Sequence, residues 1–169
     1  MPRRVEDAIA EPLGTDLVAL AQCHALYASS FPRGAPPAVL AGGPPSIWIV
    51  RSDAGVAGFL GGTASSGVLY ISSLAVDAAH RGSGFGRLLL RAATASARDR
   101  GLGAVRLHVS TGNGPAVELY VSEGFRAVQR RVRYYDPRTF PDGGDAWEMI
   151  LRLSPTEIST PSREPFSDS

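Results

Sequence analysis

The stretch His80-Arg81-Gly82-Ser83-Gly84-Phe85-Gly86-Arg87-Leu88-Leu89-Leu90 decides how this chain is read. It follows a candidate buried strand, Val68 to Val76, and opens a helical pattern that runs to Arg100. Three glycines in five residues strip side chains from the turn. Backbone N–H groups at the helix start can then point at one anionic group, with the positive end of the helix dipole behind them. Such a turn is suited to phosphate, and spacing excludes two common forms of it. A Walker P-loop needs a lysine after its last glycine, but all seventeen basic residues here are arginine. The dinucleotide fingerprint needs glycine at its first, third and sixth positions. The sixth residue from Gly82 is Arg87, and from Gly84 it is Leu89.

Working outward, the pattern alternates strands and helices. Val5 to Glu11 is a weak edge-strand candidate. Thr15 is placed to cap a helix from Asp16 to Ser30, which Phe31-Pro32-Arg33-Gly34-Ala35-Pro36-Pro37 ends. A short helix at Pro37 to Ala41 comes next. Ser46 to Arg51 and Val56 to Thr63 form a hairpin about Ser52-Asp53-Ala54-Gly55, and Gly67 starts the central strand. After the long helix, whose broad apolar face leaves its buried side open, Gly101 and Gly103 precede a strand at Ala104 to Val109 and a helix at Pro115 to Ser122. Phe125 to Tyr135 and Trp147 to Leu153 close the fold as an antiparallel pair. The fold class is a mixed α/β layered domain over residues 1–153. The tail, residues 154–169, has too little apolar surface to offset its ordering entropy and is expected to be flexible, or held by a neighbouring molecule.

A chain of 169 residues with 44% apolar content suits one globular domain with a sizeable core. Net charge of +1 gives no support for a nucleic-acid or membrane partner. No apolar run approaches the ~20 residues needed to span a bilayer, and no signal peptide is seen, so a cytoplasmic location is the expectation. A lone Cys23 excludes an internal disulfide and a cysteine-based metal cluster, and no metal is expected.

What remains at the turn is Arg81-x-x-Gly84-x-Gly86, preceded by Leu74-Ala75-Val76-Asp77. It resembles the pyrophosphate-binding motif of the GNAT superfamily of acetyl-CoA-dependent N-acetyltransferases. A second block, Asn113-x-x-Ala116-x-x-x-Tyr120-x-x-x-Gly124-Phe125, is similar to that family's second motif in residue type, order and separation. The resemblance runs from Ile47 to Leu153. It implies a GNAT fold: a central, mostly antiparallel sheet flanked by helices, with the central strand and the strand after the long helix splayed apart around the cofactor's pantetheine. It also implies direct acetyl transfer from acetyl-CoA to a primary amine in a ternary complex, by a monomer or homodimer.

The resemblance carries over onto particular residues. Arg81, Gly82, Ser83, Gly84, Phe85 and Gly86 would hold the pyrophosphate, and the strand edge at Leu74, Ala75 and Val76 the pantetheine. Asn113 would bond the pantetheine arm or cap its helix. Tyr120 stands where the family has its general acid, although on composition alone it is an ordinary core aromatic. The base departs from the pattern. Ser72 and Ser73 occupy the central-strand region where many members carry glutamate. In the protein N-terminal acetylating subgroup the glutamate lies in Leu-Glu-Val, and here that sequence is Leu107-His108-Val109. His108, with a reference pKa of ~6.5, can take that role or be a satisfied strand histidine.

Arg130-Arg131-Val132-Arg133-Tyr134-Tyr135 followed by Asp145-Ala146-Trp147-Glu148-Met149 resembles the bacterial ribosomal-protein-alanine N-terminal acetyltransferases, as does Phe31-Pro32. Phe31, Tyr134 and Tyr135 would then line the entry for a protein or peptide N-terminus. An α-amine (pKa ~7.7–8.0) suits a modest base better than lysine (~10.4). The alternatives are a small amine of polyamine or aminoglycoside type, and a non-catalytic acyl-CoA sensor.

Overall fold

The computed structural model describes residues 8–31, 46–138 and 144–154. Among them run β1 (Ala10–Pro12), α1 (Leu17–Ser30), β2 (Ile47–Ser52), β3 (Gly55–Ser65), β4 (Val68–Val76), a 3-10 turn (Ala78–His80), α2 (Phe85–Asp99), β5 (Ala104–Ser110), α3 (Gly114–Ser122), β6 (Arg126–Arg131) and β7 (Ala146–Arg152). The strands make one sheet in the order β1-β2-β3-β4-β5-β7-β6. Every neighbouring pair is antiparallel except β4 and β5. The mixed α/β class and mostly antiparallel sheet expected from the sequence are the ones the chain adopts.

Strand alternation assigns the two faces of the sheet. Trp48 and Val50 of β2 join Leu89, Leu90, Ala93 and Ala97 of α2, and Tyr120 of α3, in the larger core. Ile47 and Ile49, their alternates, join Ala19, Cys23 and Leu26 of α1 in a smaller one. The helices α2 and α3 therefore cover one face and α1 the other. The buried side of α2, left open by its broad apolar pattern, is set by Leu89, Leu90, Ala93 and Ala97, all essentially inaccessible. Truncating Leu89 would cost about 2–5 kcal/mol.

Two local features shape the middle of the sheet. Gly61 pairs with Ser73 and Gly62 with Ile71, which leaves Ser72 as an extra residue in β4, a β-bulge. The bulge inverts the alternation. Leu69 and Ile71 belong to the α2-side core, whereas beyond the bulge Ala75 belongs to the α1-side core and Leu74 and Val76 pack towards α2. Next, the β4–β5 ladder covers only Val68–Ile71 against Ala104–Leu107. Both strands continue, β4 on β3 as far as Val76 and β5 on β7 as far as Ser110. Past Ile71 and Leu107 they part, which is the splay implied by the resemblance.

Four expectations are corrected in detail. Asp16, not Thr15, caps α1, because its Oδ1 accepts from the Ala19 amide (2.9 Å) while Oδ2 takes Arg51 (2.8 Å). The α3 helix starts at Gly114, so Asn113 is its N-cap, with Oδ1 accepting from Ala116 (3.3 Å). The strand β6 ends at Arg131 and leaves Tyr134 and Tyr135 in the following turn, where Arg133 takes a φ of 53°. The first strand is Ala10–Pro12, shorter than Val5 to Glu11, whose first three residues lie outside the described ones. The helix expected at Pro37 to Ala41 and the tail beyond residue 154 also lie outside them. Among the described residues no helix is long and apolar enough to cross a membrane.

Candidate active site

At one end of the splay the chain leaves β4 through the 3-10 turn and enters α2 at Gly84. Gly82 and Gly84 have φ of 74° and 88°, backbone that a side chain strains. Gly84 is the N-cap and offers no side chain to the first turn, whose N–H groups have no intrahelical acceptor. They form a ready anion site at the positive end of a 15-residue helix. Around it, Ser83 Oγ donates to the His80 carbonyl, and His80 lies 3.2 Å from Asp77 and stacks on Phe85 (5.6 Å). Arg81 Nε donates to the Val76 carbonyl at 3.4 Å, tying the loop to the end of β4. Gly86 serves packing instead: a Cβ there would meet Leu119 at 3.3 Å, so α3 comes close to the first turn of α2.

That approach is clamped. Glu123, at the end of α3, takes Arg87 and Arg91 (2.8 Å) of α2, and Arg87 also donates to Ser122 (2.9 Å). Tyr120, on the clamped helix, lies in the α2-side core, 7% exposed and 5.8 Å from Phe125. Burial, with a smaller contribution from neighbouring Tyr135, pushes its phenol far above the usual range, so it carries its proton at neutral pH.

The other face of the sheet presents different groups. Val105, Leu107 and Val109 belong to the α2-side core, so their alternates Arg106 and His108 face the α1 side. His108 stacks on Tyr134 (4.3 Å), and Tyr134 meets Tyr135 edge-on (4.9 Å). Burial pulls the imidazole pKa down, against the pull of Glu148 and with help from Arg131 and Arg106. The acid and base candidates thus lie on opposite faces of the sheet. Tyr135 is buried enough that its phenol rises to about 12. Phe31 lies on the α1 side, its ring tilted against that of Tyr27 (4.8 Å) beside the smaller core. Leu74 to Val76 lie on the length of β4 that β5 leaves uncovered. Ser73, also on that length, has its buried Oγ without a hydrogen-bond partner.

One residue of the site escaped the sequence reading. Glu148 is the register partner of His108 and lies 3.9 Å from it. Its side chain is 8% exposed and takes Arg131 (2.7 Å) and Arg106 (3.3 Å). The hydrogen bonds from Arg131 hold its carboxyl below the ordinary range. A glutamate between Trp147 and Met149 in an apolar strand was the available signal.

The model of the acetyltransferase (GNAT) family matches residues 17–125, a span that holds both motif blocks. The chain belongs to this family. Among its GNAT relatives, the N-alpha-acetyltransferase RimI of Mycobacterium tuberculosis is 42% identical over 79 residues, 47% of this chain and 46% of that protein. The streptothricin acetyltransferase of Streptomyces lavendulae is 40% identical over 78 residues, 45% and 41% of the two chains. The chain spans less than half the length of these curated relatives. The crystal structure of the ribosomal-protein-S18-alanine N-acetyltransferase from Escherichia coli shares the GNAT fold, with a TM-score of 0.72 at 24% identity over 90% of this chain and 98% of that one. GNAT enzymes draw their acetyl group from acetyl-CoA. The residues present fit that molecule: an uncapped helix start for its pyrophosphate and an uncovered strand edge for its amide arm.

Proposed function

We propose that this chain transfers the acetyl group of acetyl-CoA directly to the α-amine of a protein or peptide N-terminus. The observation that carries the reading is the gap between β4 and β5, with an uncapped helix start at one end and Tyr120 and His108 on opposite faces of the sheet. Acetyl-CoA supplies an activated acyl group, and the chain's own groups supply the rest. In the loop Arg81 to Gly86 the N–H groups of Gly82, Gly84, Phe85 and Gly86 hold the pyrophosphate, those of Arg81 and Ser83 being taken by the Ala78 and His80 carbonyls. The edge of β4 at Leu74, Ala75 and Val76, which β5 leaves uncovered, runs beside the pantetheine amides. An N–H on that edge stabilises negative charge on the carbonyl oxygen. His108, kept neutral by burial, accepts the proton of the incoming ammonium. Tyr120 holds the proton that the departing sulfur requires. Asn113 has its carbonyl oxygen engaged in the cap and its amide nitrogen available to the pantetheine arm.

Support for an N-terminal α-amine comes from the ring array of His108, Tyr134 and Tyr135, with Phe31 on the same α1 side, and from the likeness to RimI. The likeness to streptothricin acetyltransferase supports a second reading, a small amine. A polycationic amine would meet Arg106 and Arg131 at the acceptor face, and Glu148, the carboxylate beside them, is already engaged by both. Thiol release from acetyl-CoA over a panel of peptides, polyamines and aminoglycosides tests the choice. Turnover with peptides at kcat/KM at least about tenfold above the amines is expected. Turnover only with small amines would replace the reading, and binding without turnover would leave an acyl-CoA sensor.

A further inference from the structure

We infer that Glu148 is the positioning carboxylate for the base of this reaction, supplied across the sheet from β7 to the histidine on β5. The inference rests on His108 being that base. The two residues face each other in the β5–β7 ladder, with Nε2 and Oε2 3.9 Å apart. That distance is beyond a hydrogen bond, so the carboxylate acts through its charge.

Glu148 is built into place rather than resting at a surface. Arg131 donates to Oε2 through Nε (3.0 Å) and Nη2 (2.7 Å), and Arg106 reaches Oε1 through Nη1 (3.3 Å). Burying a carboxylate is costly, and the two arginines offset that cost at one fixed orientation. The groups facing His108 are Glu148 from β7, Arg131 from β6, Arg106 on its own strand and the ring of Tyr134 from the turn after β6. Two guanidinium groups and one carboxylate leave an excess positive charge, which favours the neutral imidazole that can accept a proton. The carboxylate beside Nε2 favours the tautomer with its proton on that nitrogen, so Nδ1 carries the lone pair. As the imidazolium forms, Glu148 supports it. A charge on each side of the titration is what a base needs if it is to be unprotonated at rest and still basic enough to work.

The test is Glu148→Gln in the full chain, which keeps the shape and removes the charge. It is read as kcat against pH at saturating acetyl-CoA and peptide. With Arg106 and Arg131 no longer balanced, the acid limb should move down by about one pH unit, because the imidazolium has lost its support. The plateau should fall by about tenfold as the base weakens. Acetyl-CoA affinity should stay within about twofold. Glu148→Asp should return the limb towards its original pH. An acid limb that stays in place in Glu148→Gln, with any lost activity tracking lost thermal stability, would overturn the inference. If Glu148→Gln fails to fold, the imidazole ¹⁵N shifts of the unaltered protein decide: the Nε2–H tautomer is expected, and Nδ1–H overturns it. Assaying His108→Ala alongside separates the two claims. Full activity there removes the base itself, whereas an inactive His108→Ala beside an unmoved Glu148→Gln limb removes only the role of the carboxylate.

Discussion

On the proposed reading the donor end is made of backbone N–H groups of one turn, Gly82 to Gly86, in which the Ser83 N–H already reaches the His80 carbonyl. The acceptor end is made of the side chains of His108, Glu148, Arg131 and Tyr134, drawn from three strands and a turn. A site made of backbone needs only glycines at the right places, and the same cradle serves any acceptor. A site made of side chains from separate strands can be altered one residue at a time. On the proposed reading the first end holds the donor and the second selects the acceptor.

The largest expected effect breaks the donor end. Gly84→Asp puts a carboxylate at the helix start and a Cβ on backbone with φ of 88°. Acetyl-CoA affinity should fall by at least about a hundredfold, since an anion now faces an anion where the dipole favoured one. Circular dichroism should show the fold retained. Unchanged affinity by calorimetry would mean that the phosphate is held elsewhere.

Tyr120→Phe comes next. It removes one hydroxyl from the α2 side of the sheet and leaves the ring in the core. Loss of the proton donor should lower kcat by about ten- to a thousandfold with acetyl-CoA affinity unmoved. Full activity would return Tyr120 to packing alone, and catalysis would then lie wholly at the acceptor end.

His108→Ala addresses that end directly. We expect kcat/KM to fall by about ten- to a hundredfold at neutral pH and to recover in part as the pH rises and the amine deprotonates unaided. In the unaltered protein the histidine pKa is lowered, so its neutral form persists below the ordinary 6.5 and the acid limb of kcat should lie under that value. A limb above it would show that the surrounding charges, Glu148 foremost, outweigh burial.

The same contrast explains what could be seen in the sequence. The turn at Gly84 and the helix behind it were legible because their relations are local: φ, capping and helical spacing act over a few residues, whereas Tyr120 was singled out only by the family resemblance. The splay followed from family resemblance and is visible here as a ladder that stops at Ile71 and Leu107. Glu148 was not legible, because its place opposite His108 depends on the register of strands forty residues apart. The Ser72 bulge was hidden for the same reason, as it exists only relative to Gly61 and Gly62. Asp16 won the α1 cap over its neighbour Thr15 in company with Arg51, a partner on β2. Asn113 shows the limit from the other side. A helix starting at Pro115, as expected, would leave Asn113 one residue too early to cap it, yet the helix starts at Gly114 and the cap closes.

The smallest effect lies between the two ends. Glu123, with an 11% exposed side chain, joins the helix of Tyr120 to the helix that begins at the phosphate loop by taking both Arg87 and Arg91. Hydrogen bonding to Arg91, then to Arg87, holds its carboxyl below the ordinary value of 4.5 against the opposing effect of burial. A folded-state pKa below the unfolded one means that the unfolded chain binds protons more readily. The pair therefore contributes fully above that ordinary value, and its contribution fades as pH falls through the lowered one. Glu123→Ala should lower Tm by about 2–4 °C at neutral pH, and the difference from the unaltered protein should close in acid. Because both arginines are substantially exposed, salt should narrow the difference as well. The functional readout should follow geometry rather than charge: kcat down by less than about tenfold, as Tyr120 loses its fixed place, with acetyl-CoA affinity held by backbone groups that the change does not touch. Equal losses in kcat and in affinity would show instead that the clamp shapes the loop as well, and that the two ends are not built independently.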